Sequence, residues 1–337
     1  MKQSLKIEIA PKSILVAIAT IILFLVAWRV REVLISLFVA FILMSGSAPL
    51  VDFLIGRGFN KVLAVAITYI LAIGLFALLL FSIVPPLVDQ INGLVAKLPD
   101  YYRNAVDMLQ SGQLSVLTNE NIVSLLSSRI TAALSNFLSV VLNIFGVFIS
   151  FITVAVFTFY LLLERQKIKE NIHVIFPGVE KKRVSQLVDQ IEEKLGAWVR
   201  GQLVLMLLVG LITYIALLIL GVPYALPLAI VAGLLKAIPV IGPIIAAIPA
   251  ILVAFVHSAV LAIAVLALYI LVEQITDNFI SPLVMEKAVD LSPLVIIFAL
   301  LVGGMLFGIV GALLAVPAAG IVQVIFEDYL KNRTEAI

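Results

Sequence analysis

Residues 226–255 read LPLAIVAGLLKAIPVIGPIIAAIPAILVAF, an apolar stretch broken in the middle by Pro239, Gly242 and Pro243. Each arm is about a dozen residues long. A helix needs ~20 apolar residues to cross a hydrocarbon core of ~30 Å, so neither arm crosses alone. Two such arms around a Pro/Gly tip predict a re-entrant helical hairpin. Non-helical backbone at membrane depth survives only where protein buries it or water lines it. Short, interrupted apolar segments of this kind point to the binding site of a transporter.

Residues 293–324 repeat the plan, with two short apolar arms around a glycine-rich tip from Gly303 to Gly308. Pro317 in its second arm matches Pro249 in the first stretch. One apolar helix is expected before the first stretch, at Leu203–Leu220, and another between the two, at Ser258–Ile275. Helix, hairpin, helix, hairpin is an internal repeat, and it is inverted if the hairpins enter from opposite sides. A single crossing by each broken stretch would leave the chain termini on the same side, so counting crossings does not decide between the two topologies.

The chain has 337 residues, of which 63% are hydrophobic and 12% charged, far from the balance of a soluble domain. It is expected to be an all-α polytopic membrane protein: a helix bundle with two re-entrant hairpins in an inverted repeat, plus amphipathic extramembrane helices. A net charge of +2 gives no reason to expect nucleic acid as a partner, and the bilayer is the expected surrounding. No cysteine is present, which removes disulfides, thiol catalysis and thiolate metal sites. His173 and His257 are the only histidines and lie far apart; His257 is expected in a solvated turn. No P-loop, Ser/His, Asp/Asp or metal-ligand pattern stands out, so neither an enzyme nor a cofactor is expected. Lys2, Lys6 and Lys12 precede an apolar run with no small-residue cleavage site, which predicts an uncleaved first helix.

Taken in order, residues 1–84 should hold the N-terminal transmembrane helices. Ile14–Trp28 and Val33–Met44 form a helical pair that Gly46–Pro49 ends, and Val62–Val84 carries no charge in 23 residues. Pro85-Pro86 ends that helix. Residues 85–135 form an amphipathic extracytoplasmic segment with apolar stripes such as Leu87, Ile91, Leu94 and Leu98. Residues 136–163 span again. Residues 164–198 are amphipathic; Glu164–Arg200 holds eight Lys/Arg, which places it in the cytoplasm by the positive-inside rule. Residues 199–326 form the hairpin-containing transport unit, and 327–337 a cytoplasmic tail. Glu286, Lys287 and Asp290 fall in a cytoplasmic connector.

Glu273 and Asp277 lie four apart and so share one helical face, while Gln274 and Asn278 form a neighbouring pair. Carboxylates embedded in a membrane are costly and default to proton relays or ion ligands. The competing reading ends the helix here and turns both acids toward cytoplasmic water. Lys236 near the first tip is costly unless paired, with Glu273 or Asp277 its natural partner; the rival is a lysine snorkelling from a shallow tip. Helix ends at the tips leave N–H and C=O groups free for a polar solute. Gly242, Gly303, Gly304 and Gly308 permit close backbone approach, to a ligand or simply to another helix.

From Arg200 onward the residues resemble the autoinducer-2 exporter family of predicted permeases. The resembling segments are RGQ at 200–202, LGVPYAL at 220–226, AGLLKAIPVIGP at 232–243, EQITDNFISP at 273–282, VDLSPL at 289–294 and GGMLFGIVGALLAVP at 303–317. Pro49-Leu50, Pro85-Pro86 and Leu98-Pro99 extend the likeness more weakly into the first half. The resemblance implies a multi-pass protein of a prokaryotic inner (cytoplasmic) membrane. It also implies small-molecule export and homo-oligomers, with a pentamer the expected order. Some members of the family are credited with sodium or lithium/proton antiport. Lys236 departs from the acidic or amide residue expected before the IP-x-IGP tip, which counts against a carried-over cation site.

Three functions are therefore open. The first is a secondary or facilitative permease exporting a small polar solute, such as an autoinducer-2-like signal. The second is a sodium(lithium)/proton antiporter using Glu273 and Asp277. The third is a non-transporting membrane scaffold. The residues assigned to a substrate or ion pathway are Lys236, Pro239, Gly242, Pro243, Glu273, Gln274, Asp277 and Asn278, with Gly303, Gly304 and Gly308 in the second stretch.

Overall fold

The computed structural model describes residues 11–75, 77–79, 81–82, 85, 152–175, 180–239, 241–285 and 291–334. Every regular element among them is a helix. The amphipathic segment expected at 85–135 lies outside the described residues apart from Pro85, as do 136–151 and the connector residues 286–290.

Helix α1 (Pro11–Arg29) turns directly into α2 (Arg31–Gly56), and the Arg31 guanidinium sits 4.6 Å over the Trp28 ring. The break expected at Gly46–Pro49 does not occur, for α2 runs through Pro49. An interior proline costs a helix ~3 kcal/mol. Here the packing on both sides offsets it: Met44, Ala48 and Val51 are buried in one cluster with Val65 and Leu162. Helix α3 (Lys61–Leu79) starts where Asn60 Oδ1 accepts the Leu63 N–H at 2.8 Å, a side-chain cap. Helix α4 (152–171) packs on α3, with the Tyr69 hydroxyl donating to the Ala155 carbonyl at 2.7 Å and the Tyr69 and Phe159 rings edge to face.

Helix α5 (Lys181–Ile219) is the spine. Its 39 residues make a rod of about 58 Å. Charged segment and apolar run are one continuous helix, with no break at 198/199. At the charged end, Arg165 bridges Asp52 of α2 and Glu192 of α5 at 2.9 and 2.8 Å, and Lys169 reaches Glu192 at 2.8 Å. Three helices are thus tied together around the buried Glu192. Along its apolar length α5 packs on α6 (Ala225–Leu235), and α7 (Ile241–His257) packs on α8 (Ala259–Ile275). One core joins these elements, with Leu217, Leu228, Ala246, Ala250 and Val265 fully buried. The run of α8 does not stop at Ile275. It passes through one wide π turn (Thr276–Ile280) into α9 (Ser281–Met285). Ser281 N–H bonds the Thr276 carbonyl there, and Pro282, which has no N–H, follows at once.

The last helix, α10 (Pro293–Thr334), is broken at Phe307 and Gly308. Gly308 has φ 61° and ψ −141°, a conformation open essentially to glycine alone. In a straight helix Gly303 and Gly311 would stand about 12 Å apart. Here a Cβ on either would overlap the other's carbonyl, so the chain folds back on itself at Gly308. Val295 and Phe298 of the first arm line one apolar groove with Ala319 and Val322 of the second. Leu314 of the second arm is buried against Ile42 of α2 and Leu195 of α5.

The tight contact lies at Gly303 and Gly311, whereas Gly304 has nothing within 4 Å of the position a Cβ would take. A side chain at Gly304 would therefore meet no described protein atom at that distance. Gly311→Ala should destabilise the protein by about 1–3 kcal/mol, the usual cost of forcing atoms into a packed contact, while Gly304→Ala leaves it unchanged or slightly firmer. Thermal unfolding in detergent measures both, and equal effects would remove the fold-back at Gly308.

Candidate functional site

Helix α6 stops for local reasons. Lys236 caps it, and the N–H groups of Ala237 and Ile238 turn back onto the Leu234 and Leu235 carbonyls at 3.2 and 2.9 Å. Pro239 has no N–H to donate and disfavours a helical residue before it, so the helix cannot continue. Ile241 N–H closes the turn on the Pro239 carbonyl at 2.7 Å. Pro243 stands in the first turn of α7, where a missing N–H costs nothing. Gly242 is indispensable to this geometry, because a Cβ there would overlap the Leu235 carbonyl.

The turn carries a buried cation. Lys236 has 9% of its side chain exposed, and Nζ donates to Glu273 Oε1 at 2.8 Å and to Asp277 Oδ1 at 2.9 Å. The Lys236 carbonyl, one of those left free at the end of α6, accepts the Gln202 side-chain amide of α5 at 2.9 Å. Three elements thus meet: the turn after α6, the helical run from α8 into the π turn that carries both acids, and α5. Glu273 stands about 21 Å from one end and about 18 Å from the other of the continuous 27-residue run Ala259–Met285. The reading in which the helix ends at the acids is corrected by that continuation.

Other sequence candidates fall elsewhere. Asn278 donates to Gln274 Oε1 at 3.0 Å, and both are exposed on the flank of α8, away from Lys236. Gly303, Gly304 and Gly308 belong to the fold-back of α10, which packs on α2 and α5. His257 is exposed at the end of α7. Two residues were not picked out in advance. Gln202 was visible as a lone amide at the head of an apolar run, but only the fold places it under the turn. Tyr269 lies one turn before Glu273, in the core shared with α6 and α7, and its buried hydroxyl has no partner among the described residues. A phenol reads in sequence like any other large apolar side chain. No group of three or more metal-ligating residues occurs among the described residues.

Comparison with known proteins gives a consistent outcome. The family model described as AI-2E family transporter matches residues 14–331. Two Bacillus subtilis (strain 168) proteins bearing the name putative transport protein are similar over most of their length. YrrI is 28% identical over 312 residues, covering 90% of this chain and 87% of its own. YueF is 32% identical over 295 residues, covering 82% and 79%. The AI-2 transport protein TqsA of Escherichia coli (strain K12) is 27% identical over 321 residues, covering 90% and 87%.

Removing the lysine strands two carboxylates. Lys236→Ala should cost about 3 kcal/mol, at the low end for a broken buried pair because Asp277 is largely open. Adding Glu273→Gln should return a good part of that loss. A double-mutant cycle read by thermal unfolding checks this, and strictly additive losses would make Lys236 an independent group.

Proposed function

This chain belongs to the AI-2E transporter family, and on that premise we propose that it carries a small polar solute across a prokaryotic cytoplasmic membrane, by a secondary or facilitative mechanism. The observation that carries the proposal is the turn at 236–239: a helix interrupted between apolar arms, with a buried lysine paired to two acids and a backbone carbonyl held by an amide. Keeping a buried lysine in such a place is costly, which favours a functional role over a mere scaffold. The direction is outward, and an autoinducer-2-like signal is the first solute to test, because one relative is named an AI-2 transport protein.

In this reading both broken stretches are re-entrant and form an inverted repeat. Residues 199–326 make up the moving unit, and the N-terminal helices form the frame of a homo-oligomer. The solute passes beside the turn and meets the Tyr269 hydroxyl, a buried polar group with no partner among the described residues. Topology follows from the same scheme. With single cysteines, His257→Cys should label from the outside and Glu286→Cys from the cytoplasm; outside labelling of Glu286→Cys overturns the double hairpin.

Flux of candidate solutes into proteoliposomes, with and without imposed proton and sodium gradients, tests the function. Glu273→Gln and Asp277→Asn should lower downhill flux severalfold without abolishing it, and Gly242→Leu should abolish it. Tyr269→Phe should raise the KM for solute while leaving thermal stability unchanged or higher. Sodium or lithium/proton exchange in the parent protein without any solute flux would replace this reading with the antiporter.

A further inference from the structure

The two arms of α10 touch at Gly303 and Gly311 and part from there on. The groove between them, walled on one side by Ile35 and Phe38 of α2, holds about 710 Å³. Its polar side chains are Ser292 and Gln323, both at the end away from the touching glycines; the rest of the lining is apolar. From Gly311 to Gln323 the second arm rises about 18 Å. One leaflet supplies ~15 Å, half of a ~30 Å hydrocarbon core, so an acyl chain fits the groove lengthwise. No charged residue occurs from Pro293 to Phe326, and Glu327 is the first after them. The mouth of the groove therefore lies where apolar chain gives way to polar, the depth of a lipid headgroup.

Two opposite charges stand at that mouth, one amide group apart. Lys194 of α5 lays its stem across Gly320, where a Cβ would come 3.8 Å from its Cε. Its Nζ donates to Gln323 Oε1 at 2.7 Å, and Gln323 Nε2 donates in turn to Glu327 Oε1 at 2.8 Å. Among the described residues neither Lys194 nor Glu327 belongs to an ion pair, whereas the neighbouring Asp328 is met by Arg183 at 2.7 Å. A cation and an anion side by side complement a zwitterion. A phosphodiester answers Lys194, and a primary ammonium two carbons further on answers Glu327 with a charge-assisted hydrogen bond. A head with negative charge alone would also lie beside the Glu327 carboxylate, which disfavours it.

We propose that this groove is a binding site for one bilayer phospholipid whose zwitterionic head carries a primary ammonium. One acyl chain lies between the arms of α10, the phosphate sits on Lys194 and the ammonium on Glu327. The site is separate from the turn at Lys236 and does not depend on what the protein transports.

Trp28 and Trp198 are the only tryptophans. Trp198 packs in one cluster with Phe38 and Leu314, which line the groove, so in Trp28→Phe the remaining fluorescence reports on its occupant. The full chain is placed in phosphatidylcholine vesicles, and quenching is followed as acyl-brominated phosphatidylethanolamine, phosphatidylglycerol, diacylglycerol or phosphatidylcholine is added. Phosphatidylethanolamine should quench at about a tenfold lower mole fraction than phosphatidylcholine, the effect of one charge-assisted bond, because a quaternary ammonium cannot donate. Diacylglycerol, which lacks the phosphate, should need a severalfold higher fraction than phosphatidylcholine. Glu327→Gln, a change at an exposed position, should bring phosphatidylethanolamine to the level of phosphatidylcholine. Lys194→Gln should do the same for diacylglycerol. Equal quenching by all four lipids overturns the proposal, since the groove then merely faces the bilayer. A preference for phosphatidylglycerol overturns it in favour of a purely anionic head. Absence of quenching by any of them overturns it in favour of a groove covered by a second copy of the chain.

Discussion

The ammonium of Lys236 governs the design of the second half of the chain. A lysine flanked by apolar helices must find carboxylates or leave, and it finds two at 2.8 and 2.9 Å. Much of the surrounding geometry serves that contact. Gly242 lets α7 start close enough to α6 for the turn to be tight. The helix bearing Glu273 continues to Met285, so the acids stand inside a long run instead of fraying at its end. Gln202 secures the backbone of the same residue whose side chain is ion-paired.

The two broken helices look alike in sequence and are built on different physics. The break at 236–239 is polar: a lysine, an amide-bound carbonyl and two acids meet there. The break in α10 is apolar, a glycine turn whose arms touch through Gly303 and Gly311 and whose surroundings are aliphatic and aromatic. A polar turn has a charge state and can respond to ions or solute. A glycine fold-back has no side chain to titrate and offers shape and backbone polar groups instead. The polar contacts therefore concentrate in the first break, and the second is surrounded by apolar side chains.

Between them runs α5, which joins the two halves. Its charged end is held to α4 through Glu192 and, by way of Arg165 and Asp52, to α2, and its apolar length carries α6 and α10. It is the one described helix that touches the ion-bridged frame, the turn at Lys236 and the α10 fold-back alike.

Composition and interrupted apolar runs were enough to determine an all-helical chain with several membrane-length helices, both breaks, and the set of partners open to Lys236. These are local matters, set by proline, glycine and hydropathy within one stretch. Other features needed the tertiary structure. Pro49 was read as a stop, but contacts from α3 and α4 carry the helix through it. Gly304 and Gly311 are indistinguishable as letters, and only the fold-back decides that one faces open space and the other a carbonyl. Gln202, 34 residues before Lys236 in the chain, became a site residue because α5 runs beneath the turn. Spacing along one helix can put Glu273 and Asp277 on a shared face. Whether a lysine 37 residues earlier reaches both at once is a question of three helices in space, and packing alone answers it.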